Sequence, residues 1–259
     1  MESLSIIKIG GSILENDIEL DNFLKNFAMI EGKKILVHGG GKEGDKWLKK
    51  MGIKPNFVNG RRITDKETIE VVTSIYGGLI NKKLTSKLQK YNDSFIGLSG
   101  IDGNITESEK RKNKKIDFGF VGDIKKINLD LIYILLDNNY TPIISPLTHN
   151  KRGQVLNINA DTISTQIACS LAEKFKVSLF FCFELMGVLK ELDDSESVIE
   201  LIDFKLYKKL VKKNILSKGM IPKLENAFKA LKSGVENIFI GLPQIINKKN
   251  KVKYTKIIS

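Results

Sequence analysis

The feature that most constrains this chain is an apolar, strand-sized run that stops at glycines and passes at once into a helical pattern. It occurs twice near the N-terminus: residues 5–9 run into Gly10 and Gly11, and residues 34–37 run into His38 and then Gly39, Gly40 and Gly41. The alternation continues along the chain. Residues 65–90 have helical spacing, 94–98 return to strand, 129–136 are helical and Thr141–Ser145 is again a strand. Residues 160–175 read as a helix with Asp161 in its first turn, 177–183 as a buried strand, 204–213 and 223–233 as helices, and 236–241 as a last strand. Strands that are apolar at nearly every position, separated by helices, predict an α/β protein with a mostly parallel sheet covered on both faces. Residues 101–124, with the run KRKNKK followed by FGFVGD, read as a hairpin excursion with a mobile basic tip. Neither a Pro/Ser/Gly linker nor an internal repeat interrupts the pattern, so one compact unit is expected, with two lobes around a central cleft.

Several classes are excluded by composition. The longest apolar runs in the 259 residues are strand-sized and stop at an acid, short of the ~18 residues a membrane span needs. Lys8 and two glycines stand where a signal peptide would place its apolar core. Cys169 and Cys182 sit inside apolar segments without metal-ligand spacing, which predicts buried thiols in a reducing, cytoplasmic compartment. The formal net charge of +12 could point to nucleic acid, yet only four of the 42 basic residues are arginines (Arg61, Arg62, Arg111 and Arg152). A base-reading surface favours the planar guanidinium fork, and scattered lysines read as solvated faces, so no nucleic-acid partner is expected.

The glycine turns carry the chemistry. In open parallel sheets ligands bind outside the carboxyl ends of the strands, where backbone N–H groups face an anion. Gly10 and Gly11 are placed there. Lys8 is a sharper signal, because an ammonium inside an isoleucine-flanked strand is costly unless an anion compensates it or the chain lets it snorkel out of the strand end. In the second turn Gly39, Gly41 and Gly44 match the spacing of a dinucleotide fingerprint, and Asp65 follows where a ribose-binding acid would stand. Asp65, however, follows Thr64 and opens a helical run, where a capping role fits better. A phosphate loop of the Walker type fails too, since Asp45 follows Gly44.

Taken in order, the motifs resemble the amino-acid kinase family and, within it, the acetylglutamate kinase branch. They are Lys8-Ile-Gly-Gly11, His38-Gly-Gly-Gly41, Asn59-Gly-Arg-Arg-Ile-Thr-Asp65, Gly100-Ile-Asp-Gly103, Val121-Gly-Asp-Ile124, Leu156-Asn-Ile-Asn-Ala-Asp161 and Gly219-Met-Ile-Pro-Lys223. The resemblance implies a three-layer αβα sandwich with a mostly parallel central sheet. It implies transfer of the γ-phosphoryl of ATP to the side-chain carboxylate of an N-acylated glutamate, with Mg²⁺ carried by the nucleotide. Lys8 and Lys223 would stabilise the transferring phosphoryl from opposite sides and Asp161 would hold their ammonium groups. Gly40, Gly41, Arg62 and Asn157 would bind the acylglutamate; Gly10, Gly11, Glu184, Gly187, Leu189 and Ser217 would bind the nucleotide.

Taken by themselves, these residues also have plainer readings. Asp161 could simply stabilise its own helix, Lys223 could stand at its helix start by chance in a lysine-rich chain, Arg62 could be a solvated hairpin arginine and Asn157 a turn residue. Phe183-Glu184 and Lys218 depart from the family's pattern, which leaves adenine and ribose contacts less defined than phosphate contacts. The resemblance further implies a single domain over 1–259, with a lobe of about 1–175 for acylglutamate and one of about 176–259 for ATP, and a homodimer formed through the N-terminal half. Because Met1–Leu4 alone precede the first expected strand, too few for the helix that accompanies arginine inhibition in relatives, no arginine feedback is expected. An N-succinylglutamate kinase, a kinase of carrier-bound aminoadipate and a non-catalytic protein of the same fold are the alternatives.

Overall fold

The structure is a computed structural model that describes residues 1–58, 60–191, 193–217, 219–247 and 252–259. In chain order its strands are β1 (Glu2–Ile9), β2 (Lys33–His38), β3 (Asn56–Val58), β4 (Arg61–Ile63), β5 (Phe95–Ser99), β6 (Thr106–Lys110), β7 (Gly122–Ile127), β8 (Thr141–Ser145), β9 (Leu147–His149), β10 (Val155–Asn157), β11 (Phe175–Cys182), β12 (Leu201–Ile202), β13 (Asn237–Gly241) and β14 (Thr255–Ile257). The α-helices are α1 (Gly11–Glu15), α2 (Asp17–Ala28), α3 (Gly41–Lys50), α4 (Lys66–Thr73), α5 (Asn81–Leu88), α6 (Asp130–Asp137), α7 (Ala160–Leu171), α8 (Phe204–Lys212) and α9 (Met220–Lys232). The chain divides into two compact units, one of Met1–Lys34 with Ser164–Ser259 and one of Ile35–Ile163.

In the first unit the strands lie in the order β12-β14-β13-β11-β1. β1 runs parallel to β11, with Glu2 opposite Phe175 and Ile9 opposite Cys182; β11 runs parallel to β13, and β12 to β14, while β13 and β14 are antiparallel. Ile6 and Ile7, which point to opposite faces of β1, are both 0% exposed, so both faces of this strand are covered. Helix α2 buries Leu20, Phe23, Leu24 and Phe27, the i, i+3, i+4, i+7 stripe of a core-facing helix. Its start is fixed by Asn16, whose Oδ1 accepts the N–H groups of Ile18 and Glu19. Its end is held by Lys34, whose Nζ donates to the carbonyls of Ala28 and Ile30.

In the second unit β2, β8 and β5 are neighbours and parallel, with Leu36 opposite Ile143 and Phe95 opposite Thr141. A four-stranded sheet of order β10-β9-β6-β7 and the β3–β4 hairpin complete it. The expected mostly parallel α/β architecture is therefore the one that forms. The basic excursion is a hairpin, β6 against β7, and Arg111, one residue past β6, is ion-paired with Asp123 of β7.

Four expectations are corrected. Residues 65–90 are not one regular helix: α4 passes into a π-helical segment, Ser74–Ile80, before α5 resumes. The wide π turn coincides with Gly77 and Gly78, which have no side chain to pack against the preceding turn, and such bulges are recurrent at functional sites. Helix α7 ends at Leu171 instead of running to Phe175, because Phe175 is taken into β11 and buried. Helix α9 starts at Met220, three residues before Lys223, so Pro222 occupies its third position. Asp65 caps α4, its Oδ1 accepting the N–H of Thr68 at 2.8 Å, as the capping reading requires. Both cysteines are free, and the expectation that both are buried holds for Cys182 only, since Cys169 is partly exposed. Among the described residues no helix is long and apolar enough to cross a membrane.

Candidate active site

The first unit gathers charge at the carboxyl ends of β1 and β11. Lys8, one residue before the end of β1, is 9% exposed and stands opposite Phe181 of β11. Lys223, in the first turn and a half of α9, is 8% exposed, and its Nζ lies 5.1 Å from the ring centre of Phe181 and 5.5 Å from that of Phe183. Both ammonium groups draw down the pKa of the Cys182 thiol, while burial, the larger effect, pushes it up to about 12. Two elements far apart in sequence thus bring two buried cations to the same strand ends. The position of Lys223 is contrary to the helix dipole, which favours anions at that end. The arrangement suits an anion whose charge is spread over several oxygens.

The N–H of Gly10 donates to the carbonyl of Cys182 at 3.0 Å, so that amide is committed to the sheet; Gly11 opens α1. A Cβ on Gly10 would meet nothing closer than 3.6 Å, so packing within the chain does not demand glycine there. Ser12 Oγ donates to Glu184 Oε2 at 2.9 Å, tying the turn after β1 to the residues after β11. These two residues also line a cavity of about 200 Å³ with Phe23, Asn26, Phe183 and Gln244. Gly187 and Leu189 have packing roles of their own: a Cβ on Gly187 would fall 2.6 Å from Thr255 Oγ1, and Leu189 is buried. Ser217 is exposed and its carbonyl accepts the N–H of Met220 at the start of α9. Lys218 lies outside the described residues.

The second unit builds a separate cluster on the glycine turn after β2. Gly40 precedes α3, its carbonyl accepting the N–H of Gly44, and a Cβ on it would fall 2.6 Å from Cδ1 of Tyr76. Only glycine fits against that ring. Arg62, on β4, is 6% exposed; its guanidinium donates to Asp45 Oδ1 at 2.5 Å and to the Gly41 carbonyl at 2.9 Å, and stacks 4.8 Å from the ring centre of Phe57. It also reaches the Tyr76 hydroxyl, whose pKa burial raises and Arg62 draws back. Arg62 is therefore not a solvated hairpin arginine. Asn157 Nδ2 donates to Thr64 Oγ1 at 3.2 Å, and Thr64 Oγ1 donates to the Arg62 carbonyl at 3.3 Å, so Asn157 and Arg62 share one hydroxyl as a support. Asp161 lies in the first turn of α7, whose N-terminal amides are capped by Asn159 through Asp161 N and Thr162 N. Asn59, first residue of the Arg62 motif, lies outside the described residues.

Sequence reasoning missed Asp45 and Tyr76 around Arg62, and Asn81, whose amide nitrogen lies 3.2 Å from His38 Nε2. Asp45 served only to reject a phosphate loop, and Tyr76 and Asn81 sit inside a stretch read as ordinary helix. His38 is 0% exposed, and burial lowers its pKa to about 4 even though its ring nitrogen bonds the Gly39 carbonyl at 2.7 Å, which acts the other way.

Residues 3–241 match the model of the family described as the amino acid kinase family. The chain is 48% identical over 240 residues to the acetylglutamate kinase of Parabacteroides distasonis, covering 93% of this chain and 94% of that one. It is 46% identical to the acetylglutamate kinase of Cytophaga hutchinsonii, with 100% of both chains covered. Among solved structures, a protein of Streptococcus mutans superimposes with a TM-score of 0.79 at 28% identity, over 99% of each chain.

Proposed function

Because the chain belongs to the amino acid kinase family, we propose that it is an ATP-dependent kinase that phosphorylates the side-chain carboxylate of N-acetyl-L-glutamate, giving an acyl phosphate in arginine biosynthesis. The observation that carries the chemistry is the convergence of Lys8 and Lys223 on the ends of β1 and β11. Phosphoryl transfer asks a protein for positioning and for stabilisation of charge on the equatorial oxygens more than for covalent chemistry. The acceptor carboxylate is already ionised at neutral pH, so the step needs no general base. Lys8 and Lys223 take the growing charge on the transferring group, and Gly11 offers its amide to a phosphate oxygen. For Asp161 the proposal is the role the resemblance implies, a carboxylate that orients the lysine ammonium groups.

Arg62 binds the α-carboxylate of the acylglutamate, the planar fork being the side chain suited to it. Asp45, Tyr76 and the Gly41 carbonyl support the guanidinium, and its remaining donors serve the substrate. Gly40 and Gly41 present backbone amides to the substrate, and Asn157 contacts it from β10. Gly10, Gly11, Glu184, Gly187, Leu189 and Ser217 form the nucleotide side, Gly10 by close approach in place of donation. Mg²⁺ arrives with ATP, liganded by its phosphate oxygens. A homodimer and a cytoplasmic location complete the proposal, and light scattering tests the first of these. The activity is tested by ADP release in a coupled assay across N-acetyl-L-glutamate, N-succinyl-L-glutamate, aminoadipate, aspartate and carbamate. Turnover greatest with N-acetyl-L-glutamate is expected; turnover confined to another acceptor would reassign the substrate.

A further inference from the structure

Resting on the reading that Gly40 presents its amide to substrate, we propose that His38 and Asn81 are positioning residues: Asn81 holds the His38 imidazole in its Nδ1–H form, and that N–H fixes the peptide from which the Gly40 amide projects. Asn81 is 1% exposed, at the point where the π-helical segment gives way to α5. Its Nδ2 lies 2.9 Å from the Ile143 carbonyl, 3.1 Å from the Leu98 carbonyl and 3.2 Å from His38 Nε2. Those partners stand on β8, β5 and β2, so one amide reaches three neighbouring parallel strands. The orientation of that amide follows from chemistry. Turned over, its oxygen would face two carbonyl oxygens, so the nitrogen must be the atom placed there.

A nitrogen that only donates dictates the state of the ring it faces. The Asn81 nitrogen shares two hydrogens among three acceptors and cannot itself accept, so an Nε2–H would have no acceptor there and the proton of the neutral imidazole stands on Nδ1. Nδ1 stands 2.7 Å from the Gly39 carbonyl and donates to it. The peptide joining Gly39 to Gly40 is trans, so its carbonyl and its N–H point in opposite directions. Drawing the Gly39 oxygen to the buried ring turns the Gly40 N–H away from it. The Tyr76 ring, packed where a Gly40 Cβ would be, restrains the same residue from another side. A charged imidazolium would put an Nε2–H against the Asn81 N–H, and burial keeps the ring neutral at ordinary pH. The result is a relay from three strands, through one amide and one imidazole, to the orientation of a single backbone donor.

Two isosteric variants separate this relay from a merely packed core. In His38→Asn the side-chain amide nitrogen can take the place of Nδ1 and keep the donation to Gly39; His38→Gln keeps polar atoms near Nε2 but not that donor. With both variants folded by circular dichroism, His38→Asn is expected to keep kcat within about threefold. His38→Gln should lose kcat roughly tenfold, with KM for both substrates changed less than threefold, the size expected for one hydrogen bond acting on a transition-state donor. Equal losses in the two variants, or loss confined to KM, would overturn the proposal. Two-bond ¹H–¹⁵N correlation of the His38 ring in the whole protein gives a readout independent of activity. An Nδ1–H tautomer that becomes mixed in Asn81→Ala supports the relay, and an Nε2–H tautomer in the unmodified protein overturns it. A wild-type protein that forms no acyl phosphate would sink the functional reading instead, while the tautomer still decides the relay.

Discussion

Arg62 donates to Asp45 Oδ1 across 2.5 Å, joining the β3–β4 hairpin to the helix that follows the second glycine turn. A buried guanidinium needs a counter-charge in the absence of substrate, and Asp45 supplies it from a partly exposed position. Arg62→Ala should raise the KM for the acylated glutamate with little change in kcat, because on the proposed reading the contact is made both before and during transfer. The charge-assisted bonds lost are worth about 1.5–3 kcal/mol, roughly 10- to 150-fold in KM. Asp45→Asn should raise the same KM less, since it loosens the guanidinium without removing it. Steady-state kinetics checks both, and a collapsed kcat at unchanged KM would move Arg62 from binding to chemistry.

Lys8→Ala and Lys223→Ala should each lower kcat far more than they raise the KM for ATP. On the proposed reading their target is charge that develops in the transition state, so a loss of ~2.7–4 kcal/mol, the scale of one oxyanion donor, is expected. Retention of most of the turnover by Lys8→Ala would remove it from the chemistry.

Cys182 should be inert to alkylation in the folded protein. The thiolate is the reactive form, and burial holds the thiol near pKa 12 despite the two neighbouring ammonium groups. Cys169 is partly exposed and should react first, though slowly, because burial raises its pKa also. Mass spectrometry after iodoacetamide treatment at pH 8 reads both sites. Modification of Cys182 at the rate of a free thiol would show that the strand ends open in solution.

Stability should depend on His38. Its pKa falls from the usual 6.5 to about 4 in the folded state because the imidazole is buried. Between those values the unfolded chain binds a proton that the folded chain does not, so stability falls as pH is lowered through this window. The loss reaches about 3 kcal/mol near pH 4, and His38 contributes none of the pH dependence above about pH 7. Urea unfolding at pH 4.5 and pH 7.5 should show a smaller loss in His38→Asn than in the unmodified protein; equal losses would place the imidazole in water.

The strands that carry the site were legible because parallel strands buried on both faces are apolar at nearly every position. Helix starts such as that after Asp65 followed from capping chemistry. What escaped the sequence was of two kinds. Three-residue strands such as β3, β4, β9 and β10 are too short to show a period, although Arg62 and Asn157 stand on two of them. Supporting polar groups, Asp45 under Arg62 and Asn81 beside His38, act across 17 and 43 residues of sequence. No spacing rule links positions that far apart. Gly40 was read as part of a ligand turn, but the reason for glycine that the structure shows, the Tyr76 ring, lies inside a π turn that a helical period conceals.

The central claim is that an acyl phosphate forms at strand ends marked by Lys8 and Lys223, and trapping that product tests it most directly. The folded protein is incubated with ATP, Mg²⁺ and N-acetyl-L-glutamate in the presence of hydroxylamine, which converts an acyl phosphate to a hydroxamate measured with ferric ion. Hydroxamate equal to the ADP released is predicted, with both signals reduced about 100-fold or more in Lys8→Ala and in Lys223→Ala. ADP without hydroxamate, or hydroxamate undiminished in Lys8→Ala, would contradict it.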